Sequence, residues 1–269
     1  MPTHSDQPAA AEAKPAATIL LLRDQPSFQV LMVKRHHQID FASGALVFPG
    51  GKIHPGDADE AWAEHAIGWE RFDPVQRALR IGAIRESFEE AGILLADHRD
   101  GERFAAASDL AVREAVDKGE RAFIDVVREL GVRLRLDGLS AFARWITPAM
   151  LPKRFDTWFY AMHAPPEQTA ACDGRETVDA EWIAPSEAIR LAETGERTII
   201  FPTLMNLRLL AQAESAADSI ARAEQRTLVA VTPYVEQRDG SPFLVIPPDA
   251  GYGDVAEPLD GALAGAMRG

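Results

Sequence analysis

Glu86, Glu89 and Glu90 stand at i, i+3 and i+4 within Arg85-Glu86-Ser87-Phe88-Glu89-Glu90-Ala91-Gly92-Ile93. On a helix over 78–91, at about 100° per residue, the three carboxylates share one narrow face. Ile81, Ile84, Phe88 and Ala91 then take the opposite face, which reads as the buried one. Gly82 and Ala83 lie beside the acids and leave room there, and Gly92 suits the left-handed residue that closes a helix. Like charges at this spacing repel by roughly 0.2–0.5 kcal/mol per pair on a solvated surface. A hard divalent cation reverses that sign, because Mg²⁺ prefers carboxylate oxygens and keeps water and substrate phosphate as its other ligands. A solvated acidic face is the plain alternative. The upstream stretch Phe48-Pro49-Gly50-Gly51-Lys52-Ile53-His54-Pro55-Gly56-Asp57 argues against it. A strand end, a glycine loop and a carboxylate helix, in that order, make a phosphate-and-metal site.

These residues resemble the signature of the Nudix hydrolase family: a glycine, a glutamate after five residues, then RE-x-x-EE-x-G seven residues on. Gly51 matches the glycine, and Arg85, Glu86, Glu89, Glu90 and Gly92 match the second half. Asp57 stands where the family has glutamate; one methylene shorter, it is expected to reach the helix only through water. Ser87 replaces a usually apolar residue. Positions 58 to 84 are far longer than the signature allows, so about twenty residues (58–77) read as a helical insertion. In it Trp62, Ala66 and Trp69 share a helical face, which either packs on the domain or serves as a cap or homodimer contact.

Composition bounds the alternatives. A net charge of −13 over 269 residues argues against a nucleic-acid binder that relies on backbone phosphates. It leaves a nucleotide substrate open, since a bound metal supplies positive charge locally. With Cys172 as the single cysteine, no intrachain disulfide or thiolate metal site is credible. No apolar run is long enough to span a bilayer and the N-terminus lacks a secretory layout, so the expectation is a cytoplasmic protein without a membrane partner. Gly51-Lys52 is followed by Ile53 rather than Ser or Thr, which rules out a P-loop, and no strand leads into G-x-G-x-x-G.

The elements that must position the acids follow from the apolar pattern. Residues 1–16 read as a disordered tail, and 17–246 as one domain. Thr18–Arg23 and Phe28–Lys34 form a hairpin, and Ala45–Phe48 is a strand delivering the glycine loop. Strands are expected over 93–96, 141–147, 155–163, 178–183, 228–234 and 243–246. Helices are expected over 109–118, 121–130 and 185–193 and from Pro202. Residues 247–269 read as an irregular tail. Strands with helices between and after them predict an α/β fold, and the resemblance implies an α/β/α sandwich around a mixed sheet.

The resemblance further implies Mg²⁺ or Mn²⁺ on Glu86, Glu89 and Glu90, with the Gly50 carbonyl as another ligand. Glu89 is the chosen general base, with Asp156, Glu176 and Glu181 open as alternatives, and Arg85 would orient the carboxylates through an ion pair. The interrupted box, Ala143–Pro148 with Pro152–Thr157, and Phe201-Pro202-Thr203 are similar to the branch containing coenzyme A diphosphatases. A nucleoside diphosphate derivative, foremost coenzyme A or acyl-coenzyme A, is then the substrate. ADP-ribose or NADH, or a non-catalytic nucleotide-sensing module, is the alternative. Gly51, Lys34, Arg35, Lys153 and Arg154 are candidate substrate contacts, and Trp62, Trp69, Trp158 and Phe159 candidate walls for an acyl chain. His36 and His37 could join Arg35 on substrate phosphates, although a solvated strand end explains them as well.

Overall fold

A computed structural model describes residues 11–35, 44–105, 109–172 and 177–263. His36, His37 and Glu176 lie outside those residues.

The first hairpin pairs β1 (Lys14–Arg23) with β2 (Gln29–Arg35), with Leu22 opposite Val30. Ile19 and Leu21 face one core, while Leu20 and Leu22 face a second, and all four are fully buried. Burial on both faces accounts for an apolar run without alternation. β3 (Leu46–Val47) pairs with β2, and β4 (Gly50–Lys52) pairs with β1. The end of the expected N-terminal tail belongs to the sheet. Lys14, Pro15 and Ala16 already lie in β1, opposite Phe155, Asp156 and Thr157.

After a 3₁₀ turn at Pro55–Ala58, the inserted stretch forms 3₁₀ turns at Glu60–Glu64 and Trp69–Arg71 around β5 (Ala66–Ile67) and runs into the start of the box helix rather than forming a helix of its own. Trp62 and Trp69 are buried in the core beside Phe88 and Phe123, which leaves neither for a cap or a homodimer contact. The box helix, α1 (Pro74–Ala91), starts four residues earlier than expected, because Asp73 caps it by accepting from the Gln76 amide.

β6 (Ala96–His98) begins where the expected 93–96 strand ends; Ile93–Leu95 are buried chain instead. α2 (Leu110–Asp117) and α3 (Phe123–Leu130) follow, α3 ending on Gly131 at φ 66°. β7 (Val132–Arg135), which the sequence reading missed, joins β5 and β6 in a small sheet. β8 (Ser140–Ile146), β9 (Phe155–His163) and β10 (Thr177–Ile183) complete most of the main sheet. α4 (Pro185–Glu193) and α5 (Phe201–Leu210) match expectation, whereas α6 (Ala216–Gln225) was not anticipated. Its signal was Ser215, whose hydroxyl accepts from the Asp218 amide at the helix start. The expected strand over 228–234 is two pieces, β11 (Ala230–Val231) and the start of β12 (Tyr234–Arg238), broken at Pro233.

β13 (Ser241–Val245), β14 (Ala256–Pro258) and α7 (Leu259–Leu263) correct the irregular-tail expectation, since β14 pairs with β13. The main sheet runs β10-β2-β1-β9-β8-β11, with β1·β9 and β8·β11 parallel and the other pairs antiparallel. It is therefore mixed, with α1 on one face and α5 and α6 on the other. Among the described residues no helix is long and apolar enough to cross a membrane.

Candidate active site

The acidic face of α1 is buried. Glu86, Glu89 and Glu90 are 7%, 6% and 3% exposed, as deep as the apolar face behind them. A helix enclosed on all sides is held by more than an apolar stripe. Its final carbonyls, which no intrahelical donor can satisfy, are taken by distant parts of the chain. Arg113 on α2 donates to the Glu89 carbonyl (2.8 Å), Thr177 Oγ1 to that of Glu90 (3.1 Å), and the Ala171 amide to that of Ala91 (2.9 Å). Gly92 closes the helix at φ 70°. Ser87 finds its reason here: fully buried, its hydroxyl donates to the Ile93 carbonyl at 2.9 Å.

Arg85 organises the carboxylates. Its Nη1 donates to Glu86 Oε1 (2.9 Å) and Glu89 Oε2 (2.8 Å), and its Nη2 to the Lys52 carbonyl (2.8 Å). Asp57 reaches this guanidinium without a water: Nε lies 3.0 Å from Oδ1 and Nη2 3.0 Å from Oδ2. That corrects the expectation drawn from its shorter side chain. Gly82 makes the approach feasible, because a Cβ there would come within 2.5 Å of Ile53 and 3.2 Å of Asp57 Oδ2. The helix glycine leaves room for the Asp57 loop rather than for the glutamates.

The glycine turn lies against the same helix face. The Gly50 amide donates to Glu90 Oε2 at 3.0 Å. A Cβ on Gly51 would sit 2.5 Å from Glu86 Oε1. Gly50 thus meets α1 through its N–H.

Burial raises the Glu89 carboxyl to about 8; Arg85 opposes that rise, and Glu86 and Asp117 add to it. For Arg85, burial pulls downward but Glu86, Asp57 and Glu89 outweigh it, leaving the guanidinium above its ordinary value. Glu89 Oε1 is buried without a hydrogen-bond partner. An orphaned oxygen amid several acids and one arginine fits a cation bound by oxygen ligands. Among the described residues no three acidic, histidine or cysteine groups yet converge as a ready cage. Arg85 draws Glu86 and Glu89 toward itself, and Glu90 is turned to the Gly50 amide.

These groups line a cavity of about 590 Å³. Gly51, Arg35 and Lys153 line it, as do Lys52 and His54. Arg154 does not: its guanidinium donates to the Thr147 and Ala11 carbonyls, so it fastens the β8–β9 loop to the N-terminal strand. Lys34 is not in the lining either. Asp156 lines a separate cavity of about 330 Å³ with Gln76 and Trp158, and is paired to Arg144 at 2.6 Å. Glu181 pairs with Arg197 at 3.6 Å outside both cavities. Asp117, at the end of α2, is the acid that sequence reasoning missed; it lines the large cavity with the glutamates. Of the suggested acyl-chain walls only Phe159 lines it. Trp62 and Trp69 belong to the core, and Trp158 faces the smaller cavity.

The mixed sheet with this helix beneath it matches a crystal structure of a Nudix hydrolase from Alicyclobacillus acidocaldarius, at TM-score 0.70 and 26% identity over 81% of this chain and 97% of that one. The family model for the NUDT19 Nudix domain matches residues 68–210, more than half of the chain. The chain belongs to the Nudix family, within its NUDT19-type domains. The match begins after the Gly50–Gly51 turn and Asp57, so those contacts are supplied by the structure alone. Relatives include the acyl-coenzyme A diphosphatase NUDT19 of Xenopus laevis, 26% identical over 60% of this chain and 54% of that protein. The human protein of the same name is 27% identical over 78% of this chain and 68% of that protein. The chain spans little more than half the length of the Xenopus relative and 61% of the putative nudix hydrolase 7 of Caenorhabditis elegans.

Proposed function

We propose that this protein is a divalent-metal-dependent diphosphatase acting on coenzyme A or acyl-coenzyme A, giving 3′,5′-ADP and phosphopantetheine or its acyl form. The observation that carries the proposal is the buried trio Glu86, Glu89 and Glu90 beside the Gly50–Gly51 turn, in a cavity that also admits Arg35 and Lys153. The names of the vertebrate relatives supply the substrate class.

Glu86, Glu89 and Glu90 would hold Mg²⁺ or Mn²⁺, which when bound neutralises diphosphate charge and lowers the pKa of coordinated water. The protein's share is positioning. Arg85 fixes two carboxylates through one guanidinium nitrogen, and Asp57 holds that guanidinium from the other side. Gly50 and Gly51 let the turn lie against Ala17 and Thr18 of β1 and against the Glu86 carboxylate, where a Cβ would clash. Glu89, with an oxygen that no protein donor occupies, takes the proton of the attacking water. Arg35 and Lys153 supply positive charge for the additional 3′-phosphate.

A substrate panel read by product identity tests the proposal. With Mg²⁺ or Mn²⁺ the expected product from coenzyme A is 3′,5′-ADP. Turnover confined to ADP-ribose or NADH would replace the substrate, and tight nucleotide binding without products would point to a sensing module.

A further inference from the structure

The large cavity is lined by two chemically different sets of residues. Besides the glutamates and basic residues, Trp145, Pro148, Leu151, Phe155, Phe159 and Phe201 give it an apolar wall. Phe155, Thr157 and Phe159 alternate along β9, so that face of the sheet looks into the cavity, whereas Asp156 and Trp158 look into the smaller one. The wall is completed by the C-terminal segment, through Pro233 and Leu244, beyond the residues that the family model matches. Tyr252 fastens this segment: its hydroxyl accepts from Trp145 Nε1 (3.0 Å) and donates to Asn206 Oδ1 (2.8 Å).

Two exposed apolar residues adjoin this lining, one by sequence and one by strand pairing. Met150, between Pro148 and Leu151, is 51% exposed. Val235, 37% exposed, is the cross-strand partner of Leu244 and shares its face of the hairpin. Beside an apolar cavity wall, such exposed side chains can extend the surface that an apolar ligand covers. A diphosphate at the glutamates leaves the rest of the same molecule free to meet the apolar lining of the same cavity.

We propose that the wall, extended by Met150 and Val235, binds an acyl chain carried on the pantetheine end of the substrate, and that the C-terminal hairpin helps select that chain. The inference rests on the diphosphatase reading for its substrate but not for its chemistry, which is burial of methylenes against apolar side chains.

Calorimetric titration with decanoyl-pantetheine, which has no diphosphate, and with pantetheine alone tests the subsite without requiring turnover. The acylated compound should bind the wild-type protein at least about tenfold more tightly than pantetheine. Met150→Asp and Val235→Asp should each remove most of that difference. Met150 sits in an exposed loop, so its variant keeps the test open should Val235→Asp fail to fold. In turnover, the ratio of kcat/KM for decanoyl-coenzyme A over coenzyme A should fall by about tenfold in both variants. Equal binding of the two pantetheines, or an acyl preference untouched by both substitutions, overturns the subsite. Acyl-dependent binding with no 3′,5′-ADP released from any coenzyme A would instead sink the diphosphatase reading and leave the subsite standing.

Discussion

Asp57 and Arg85, 28 residues apart, form a buried ion pair in which both oxygens of the acid face the guanidinium, at 3.0 Å to Nε and 3.0 Å to Nη2. Both side chains are 3% exposed. Through this pair the turn just before the insertion, Pro55–Ala58, holds the residue that holds two of the three glutamates.

Breaking a buried pair by removing one charge is costly, because the other is left uncompensated. Asp57→Asn should lower stability by about 3 kcal/mol, read from the urea midpoint, and should weaken divalent-cation binding because Arg85 is freed to shift. Asp57→Glu restores the charge but must fit an extra methylene beside Gly82. It should recover less than half of the loss. Full recovery would mean that the Gly82 contact imposes no limit.

The two glycines of the turn should respond differently to alanine. At Gly50 a Cβ would meet backbone, at 2.6 Å from the Ala17 carbonyl oxygen and 2.6 Å from Thr18 Cα. Gly50→Ala should therefore unfold or strongly destabilise the protein. At Gly51 the Cβ meets the Glu86 carboxylate, the far end of a flexible side chain. Gly51→Ala should stay folded, with a melting temperature near the wild type, and lose about a hundredfold in turnover as Glu86 is displaced. Equal melting temperatures for both variants would contradict the difference in what each Cβ meets.

Glu89 makes the cation-free protein sensitive to pH. Its carboxyl is raised by burial to about 8 from an ordinary value of 4.5. Below 4.5 both folded and unfolded chains hold the proton, and the folded state carries no penalty. Between 4.5 and 8 the unfolded chain releases a proton that the folded chain retains. Stability is then lost as pH rises, on the order of 1 kcal/mol per unit from this group. In chelator, the urea midpoint should fall between pH 5.5 and 8, and Mg²⁺ should restore it most at the upper end. A midpoint rising over this window, or restored equally at both ends, would count against the buried acid.

Much of this site is legible in the sequence because it is local. The i, i+3, i+4 spacing puts the glutamates together whatever surrounds them, and Gly92 closes the helix where its type allows φ 70°. The hairpin and the strand at 155–163 follow from runs of β-favouring residues. What the sequence withholds depends on parts of the chain far apart. The acids are buried because β4, α2 and the chain around Thr177 close over them, and no periodicity records that. Asp57 reaches Arg85 because Gly82 lacks a side chain, a fact about two elements rather than about either residue. Asp117 enters the cavity from α2, a helix with no motif of its own. Lys153 and Arg154 are adjacent and alike in sequence, yet one lines the cavity and the other fastens a loop.

Replacing Glu89 by Gln bears most directly on the central claim. It removes the acid while keeping the shape of the side chain, and with it the buried charge that the cation-free fold tolerates poorly. Assayed with Mg²⁺ and coenzyme A, Glu89→Gln should lose at least about a thousandfold in 3′,5′-ADP release while melting no lower than the wild type in chelator at pH 8. Turnover within a few fold of the wild type, in a variant equally well folded, would contradict the account.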